Sequence, residues 1–348
     1  VLSFGLDPDH ENRRDPMGFD QVERRRRESP LHLVVGDLIR VVQSVADASH
    51  ILLVVTDADG VVLWRVGTAG VRRRADDLGF REGVPWTEAA VGTNAIGTAL
   101  VEAAPVTLFS AEHFEQAQHA WYCTAYPVHD PRTGELLGIV DVSGPALTLH
   151  PAIAALVETA VRLAEAQLWR HHADRLDRLR RSAEHVVATA PGPLLIVDDH
   201  GWVAHHTGVA VRDRIAAPRA DTALSVPGLG LCLPERLPEG WLIRPAGHDR
   251  RIQVTLDLTG PPVLEVCGDA APWRAPLTRR HADILARLHT AGPSGLTAHQ
   301  LSRELYGDDA HVVTVRAEIS RLRRAIGALV STNPYRLADG VVFTPIHR

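Results

Sequence analysis

Gly92 and Gly97 stand in the stretch AVGTNAIGTAL, residues 90–100, at the spacing of a loop whose backbone N–H groups cradle phosphates. Such a loop needs a lysine after its second glycine to neutralise the terminal phosphates, and here Thr98 and Ala99 follow Gly97. All 37 residues in the Lys+Arg count are arginine, so the chain contains no lysine. That excludes P-loop ATPases, kinases built on a strand lysine, and Schiff-base chemistry. A second set, His113, His119 and Cys123, could be imagined around a metal or a haem, but its spacing matches no strong metal motif, and 19 histidines make chance proximity common. Cys123, Cys232 and Cys267 lie far apart with no C-x-x-C, against a zinc site or a disulfide framework. Cys123 reads as a small buried hydrophobe, with a redox-active or ligand-lining thiol as the alternative. Neither G-x-S-x-G nor H-E-x-x-H occurs, so no enzyme is expected.

Arginine carries the other chemistry. In HVVTVRAEISRLRRAIGALV, residues 311–330, Val315, Ile319, Leu322, Ile326 and Leu329 recur at helical spacing and form one core stripe. At 100° per residue Val313, Ala317, Ser320 and Arg324 then face the other way, with Arg316 and Arg321 on the shoulders. Small residues flanked by guanidinium groups let a helix enter a major groove and reach bases or phosphates. The local charge agrees: residues 271–348 hold eleven Arg and six acids, whereas residues 1–270 hold 26 Arg and 36 acids. An acidic body is repelled by nucleic acid and a small basic module is attracted to it.

The elements that must position these residues follow from pattern. With 348 residues the chain is long enough for two or three domains, and its 45% apolar and 23% charged residues are ordinary for a globular protein. Neither a long apolar run nor a signal-peptide pattern is present, which predicts a cytoplasmic protein without membrane contact. Residues 1–29 read as an irregular N-terminal segment, with Arg24–Arg27 a solvated face or, alternatively, a DNA-touching arm. A helix is predicted from Leu31 to Ala46, and a hairpin in ILLVVTDADGVVLWRVG around Asp-Ala-Asp-Gly. Further strands at PVTLFS, CTAYPVH and LLGIVDVSG complete an antiparallel sheet. Residues 150–187 read as a long helix whose second half carries enough charge to suggest a two-stranded coiled coil and hence a homodimer. Residues 188–270 read as a small domain dominated by strands, APWRAP as a linker, and residues 276–348 as three helices followed by a short hairpin around Ala-Asp-Gly.

Two resemblances sharpen this. WTEAAVGTNAIGTAL, EHF, WYCTAYPVHDPRTGELLG and VDVSG resemble the GAF sensor domain of acetoin-catabolism-type bacterial transcriptional activators. The resemblance implies that Trp86–Leu100 is a loop and helix beside a ligand pocket, with its glycines serving close backbone packing. Those activators usually continue into an AAA+ ATPase, which this chain cannot form. TVRAEISRLRRAIG and PYRL resemble the winged-helix effector domain of OmpR/PhoB-type response regulators, although no four-stranded sheet is evident ahead of the first helix. LLIVDDHGWVAHH resembles, more weakly, a PAS domain.

The expected fold is therefore α+β multidomain: an N-terminal segment at 1–29, a GAF ligand-sensing domain at 30–149, a long linker or dimerisation helix at 150–187, a PAS-like domain at 188–270 and a winged-helix DNA-binding domain at 276–348. The resemblances and the chemistry favour Trp86, Asn94, His113, Trp121, Cys123 and Tyr126 as ligand-binding residues, aromatics with a few polar groups suiting a small organic effector. They favour Thr314, Arg316, Ala317, Ser320, Arg321, Arg324, Tyr335 and Arg336 for DNA. No metal and no cofactor is expected. The predicted partners are double-stranded DNA, a small-molecule effector, a second copy of the chain and RNA polymerase. A ligand-responsive one-component transcriptional regulator follows. The alternative is a GAF/PAS signalling scaffold, or a redox- or haem-type sensor, working through protein contacts.

Overall fold

The computed structural model describes residues 5–9, 12, 14–49, 51–148, 150–245, 252–268 and 271–346, with the side chains of 44–49 excepted. The chain divides into two compact units, Val1–Ala173 and Asp174–Arg348.

In the first unit, helices α1 (Phe19–Glu28) and α2 (Val35–Ser49) precede strands β1 (Leu52–Thr56) and β2 (Val62–Gly67). Helices α3 (Ala69–Asp77), α4 (Glu88–Val91) and α5 (Ala95–Glu102) follow, then strands β3 (Val106–Phe109), β4 (Trp121–His129) and β5 (Leu136–Pro145). The five strands form one antiparallel sheet in the order β2-β1-β5-β4-β3. Side chains alternate across a strand, so each strand feeds two cores. On one face Leu53, Val55, Tyr122, Val140 and Val142 pack against Leu31, Leu38 and Val42 and against Ile153, Val157, Ala160 and Ala164. On the other, called here the inner face, Leu52, Val54, Trp121, Ala125 and Ile139 pack against α3, α5 and the loop between them.

The segment at 1–29 is not irregular throughout: α1 spans Phe19–Glu28, while residues 1–4, 10, 11 and 13 lie outside the described residues. Two of its four consecutive arginines are fastened, while Arg24 and Arg27 are exposed. Arg25 pairs with Asp57 and Asp59, and Arg26 reaches the Leu63 carbonyl and Glu23, because α1 lies along the β1–β2 hairpin.

The long helix is α6 (Ala152–Ser182), 31 residues, followed by α7 (Glu184–Thr189). Its first half packs on the sheet through Ile153, Val157, Ala160 and Ala164. The second half departs from the coiled-coil expectation: Leu179 and Ala183 are buried against Leu194, Ile196 and Leu242 of the second unit. Of the stripe read as a dimer seam in that half, Leu179 is packed within the chain and Leu176 is half-buried.

The second unit contains strands β6 (Leu194–Val197), β7 (Val203–Thr207), β8 (Leu224–Val226), β9 (Gly230–Cys232), β10 (Glu235–Leu237) and β11 (Gly240–Ile243). These form a four-stranded sheet in the order β10-β11-β6-β7 and a β8–β9 hairpin. Then come β12 (Ile252–Asp257), β13 (Val263–Cys267), β14 (Trp273–Pro276), α8 (Arg279–Ala291), α9 (Ala298–Tyr306), α10 (Val312–Ile326), β15 (Val330–Ser331), β16 (Arg336–Leu337) and β17 (Val341–Ile346).

Three expectations change here. Three strands, β12–β14, stand ahead of the first helix of the basic module and β17, after the helices, completes a sheet ordered β14-β13-β12-β17, so APWRAP supplies an edge strand, β14, instead of a linker. Residues 252–267, assigned from sequence to the middle domain, share one core with α8–α10: Ile252, Val254, Leu256, Leu264 and Val266 cluster with Leu285, Leu301, Val315 and Leu322. The C-terminal hairpin turns at Asn333–Pro334, pairing β15 with β16, whereas the strand after Ala-Asp-Gly leaves to lie parallel to β12. Alternation explains the outcome. β12 buries every second residue and needs a helical layer on that face, which α8–α10 provide.

Candidate functional site

The glycines of the opening loop are fold elements. Gly92 has φ +77°, and a Cβ there would stand 2.3 Å from the Phe114 ring. At Gly97 a Cβ would stand 2.6 Å from the backbone nitrogen of Glu88. Asn94 caps α5, its Oδ1 accepting from the Gly97 N–H at 2.9 Å and its Nδ2 donating to the Gly92 carbonyl at 2.9 Å. Its amide is committed to shaping the turn.

The inner face holds two polar groups with unspent hydrogen-bonding capacity, Asp141 and Trp86. Central strand β5 reads Val140-Asp141-Val142-Ser143, so its period of two turns Asp141 and Ser143 toward the inner face while the valines fill the opposite core. Both polar residues are fully buried. Ser143 Oγ donates to Asp141 Oδ2 and lies 3.1 Å from Cys123 Sγ on the adjacent strand. Asp141 Oδ1 has no partner among the described residues. Burial pushes this carboxyl up to about 7, against the opposing effect of the Ser143 hydroxyl.

Trp86 is buried beside Phe80, ring centroids 4.0 Å apart, and its Nε1 is likewise without a partner. His113 is buried in the loop after β3, and its Nδ1 lies 3.0 Å from the Ser110 carbonyl. Burial lowers its pKa, which favours the neutral ring. With Nδ1–H donating to Ser110, the buried, unpartnered Nε2 is an acceptor. An indole donor and a carboxyl oxygen thus lie unpartnered on the apolar inner face, and an imidazole acceptor lies in the loop after β3.

Of the six predicted ligand residues, Trp86, Trp121 and Cys123 share this face. Tyr126 does not, since alternation along β4 turns it with Tyr122 to the opposite core. His119 points its Nε2 at the His113 carbonyl, 3.2 Å away. Among the described residues no three His, Cys, Asp or Glu side chains converge on a metal position. The thiol of Cys123 is pushed well above its ordinary range, by burial first and by Asp141 second, which favours the protonated form. Sequence reasoning missed Asp141 and Ser143, although a carboxylate flanked by valines in a strand was the signal.

An N-terminal strap closes over this side. The Arg14 guanidinium lies 4.7 Å from the Trp86 ring centroid and pairs with Glu115, and both ion-pair side chains are 2% exposed. Glu115 also accepts from Asn12 and from Gln118.

In the second unit, α10 carries the predicted division of faces. Val315, Ile319, Leu322 and Ile326 are buried, and Thr314, Arg316, Ala317, Ser320, Arg321 and Arg324 are exposed. Gly327 ends the helix with φ +67°. Arg321 is paired with Glu318. Tyr335 and Arg336 differ from the other predicted contacts: both are half-buried, the Tyr335 backbone is bonded to Leu296, and Arg336 pairs with Asp339. Arg323, absent from the predicted set, is exposed on the flank of α10 beside Arg316. Among the described residues no helix is long and apolar enough to cross a membrane.

Residues 14–166 match the family model described as "MimR, N-terminal domain". The chain is 29% identical over 334 residues to an uncharacterized 47.3 kDa protein in the thcA 5' region of Rhodococcus erythropolis, covering 96% of this chain and 60% of that one. It is 36% identical over 152 residues to the acetoin dehydrogenase operon transcriptional activator AcoR of Bacillus subtilis, covering 43% of this chain and 25% of the relative. A third relative is the propane 2-monooxygenase operon transcriptional activator MimR of Mycolicibacterium smegmatis, 32% identical over 135 residues, with 38% and 23% covered. The chain thus spans 60% of the length of the first relative and about a quarter of the other two. Among solved structures, the Escherichia coli DhaR(N)–DhaL complex is similar at a TM-score of 0.48 and 18% identity, covering 68% of this chain and 93% of that one. The N-terminal region is homologous to operon transcriptional activators.

Proposed function

We propose that the protein is a ligand-responsive transcriptional regulator. A small organic effector binds at the inner face of the N-terminal sheet, and DNA is bound through α10. The observation that carries this reading is the exposed face of α10: small residues flanked by arginines, on a helix whose other side is sealed into a core. Homology of the N-terminal region to operon activators supports the sensor half. So do the unpartnered Asp141, His113 and Trp86 atoms, which a hydroxylated or carbonyl-bearing ligand would satisfy. The basic module is of winged-helix type in this reading, the N-terminal unit is a GAF-type sensor, and the protein acts as a homodimer in the cytoplasm. An effector works here by binding one conformational state better than another.

The test is fluorescence anisotropy of the purified protein on a duplex from its own upstream region, against a scrambled duplex, from about 50 to 300 mM salt. Preference for the upstream duplex is expected. Equal affinity for both duplexes, or no binding at low salt, would instead favour a scaffold working through protein contacts.

A further inference from the structure

Beside α10 lies a cleft of about 530 Å³ that the exposed face alone does not explain. One wall is the flank of the helix, with Arg316, Ser320, Arg323 and Arg324. The other is the segment that leads into and includes the start of β8, with Thr222 and Ser225 among its contributors. The two walls are fastened at the helix end. The Ala328 N–H donates to the Ala223 carbonyl at 2.8 Å, and a Cβ on Gly327 would stand 2.1 Å from that oxygen.

The chemistry of the cleft is one-sided. Among the described residues it is lined by three arginines and several hydroxyl groups, and by no aspartate or glutamate. None of Arg316, Arg323 and Arg324 has a carboxylate partner among the described residues, whereas Arg321, one turn away on the far shoulder, is paired with Glu318. Elsewhere on this unit exposed arginines occur both paired, as Arg274 and Arg303, and without an ion pair among the described residues, as Arg178 and Arg212, so what sets the cleft apart is that three such guanidinium groups line one site. Three uncompensated guanidinium groups converging on a concave, open site make a receptor for an anion that accepts several hydrogen bonds, and tetrahedral phosphate fits that geometry.

We propose that this cleft holds a backbone phosphate of the duplex whose groove receives α10, so that Arg323 and the 222–225 segment extend the DNA footprint beyond the helix itself. The inference rests on the DNA-binding reading. A helix seated in a major groove has a phosphate backbone running along its flank, where Arg316 and Arg323 lie, with Arg324 at the border between the cleft and the face that meets the bases. A contact of this kind fixes register and orientation without reading sequence.

The test uses the full chain and two surface variants, Arg323→Ala and Ser225→Glu, in the same anisotropy assay over the same salt range. The first removes one positive contact, and the second places a carboxylate in the cleft. Arg323→Ala is expected to weaken specific and scrambled duplex equally and to reduce the slope of log K against log salt by about 0.9. Ser225→Glu should weaken both by roughly tenfold or more. Wild-type affinity and slope in both variants, with the wild type binding normally, would overturn the cleft while leaving the regulator reading intact. Absence of binding by the wild type would overturn both. Inorganic pyrophosphate is titrated at constant ionic strength as a separate arm. Its competition with duplex in the wild type, lost in Arg323→Ala, supports the assignment. Tight pyrophosphate binding that leaves duplex affinity unchanged would overturn it in favour of a free phosphorylated ligand.

Discussion

Arg14 and Glu115, 101 residues apart in the chain, form an ion pair with both side chains almost wholly removed from solvent. The pair ties the N-terminal strap to the loop that carries His113, with the Arg14 guanidinium stacked over Trp86. Removing one partner strands a buried charge, whereas removing both does not. Glu115→Gln is therefore expected to cost the N-terminal unit about 3–5 kcal/mol. Arg14→Met combined with Glu115→Gln should recover much of that. Urea unfolding followed by tryptophan fluorescence measures both, and equal losses in the single and double variants would remove the ion pair from the account.

Asp141 gives the sensor a pH dependence of defined sign. Its folded-state pKa, about 7, lies above the ordinary 3.8, so the native state holds the proton more tightly than the unfolded chain. Its contribution to stability is therefore greatest below pH 4 and is lost as pH rises through 7, by an amount on the order of 4 kcal/mol at 1.36 kcal/mol per pH unit. His113, whose pKa is lowered, acts in the opposite direction as pH rises toward 6.5. The comparison that isolates Asp141 is wild type against Asp141→Asn, with unfolding free energies measured from pH 4 to 8. The difference between them should change steeply across that window, and a flat difference would mean that the carboxyl is solvated.

The thiols should separate by burial. Cys267 is exposed, the Cys232 thiol is pushed up to about 12 by burial, and that of Cys123 is raised by burial and Asp141. Treatment with an aromatic disulfide reagent near pH 8 is expected to modify one thiol quickly in the native protein and all three after denaturation. Rapid loss of Cys123, identified by peptide mapping, would favour the redox-sensor alternative.

Gly97 and Asn94 should behave as structural residues. Gly97→Ala forces a Cβ to within 2.6 Å of backbone at Glu88 and 2.8 Å of the Asn94 amide, at an expected cost of about 1–3 kcal/mol. Asn94→Ala removes the cap of α5 and should cost about 1–2 kcal/mol. Each is checked by the thermal midpoint together with effector binding once an effector is found. Loss of binding at unchanged stability would give either residue a direct ligand role.

Much of the architecture was legible in the sequence because local period and turn chemistry decide it. Asp-Ala-Asp-Gly specified the β1–β2 hairpin, and the spacing of Val315, Ile319, Leu322 and Ile326 fixed both the buried and the exposed sides of α10. The absence of lysine settled what Gly92 and Gly97 could not do. Partner choice is another matter, because period says which face of a strand is apolar and nothing about what covers it. Only the tertiary structure gave β12 and β13 to the helices of the basic module, sent β17 to lie parallel to β12, and buried Leu179 within the chain. The same limit governs the sites. Asp141 and Cys123 stand on different strands and meet through Ser143 by strand register, and Arg323 meets the 222–225 segment from a hundred residues away. A contact between segments so distant in sequence is set by the packing of whole sheets and helices, which no local pattern in either segment encodes.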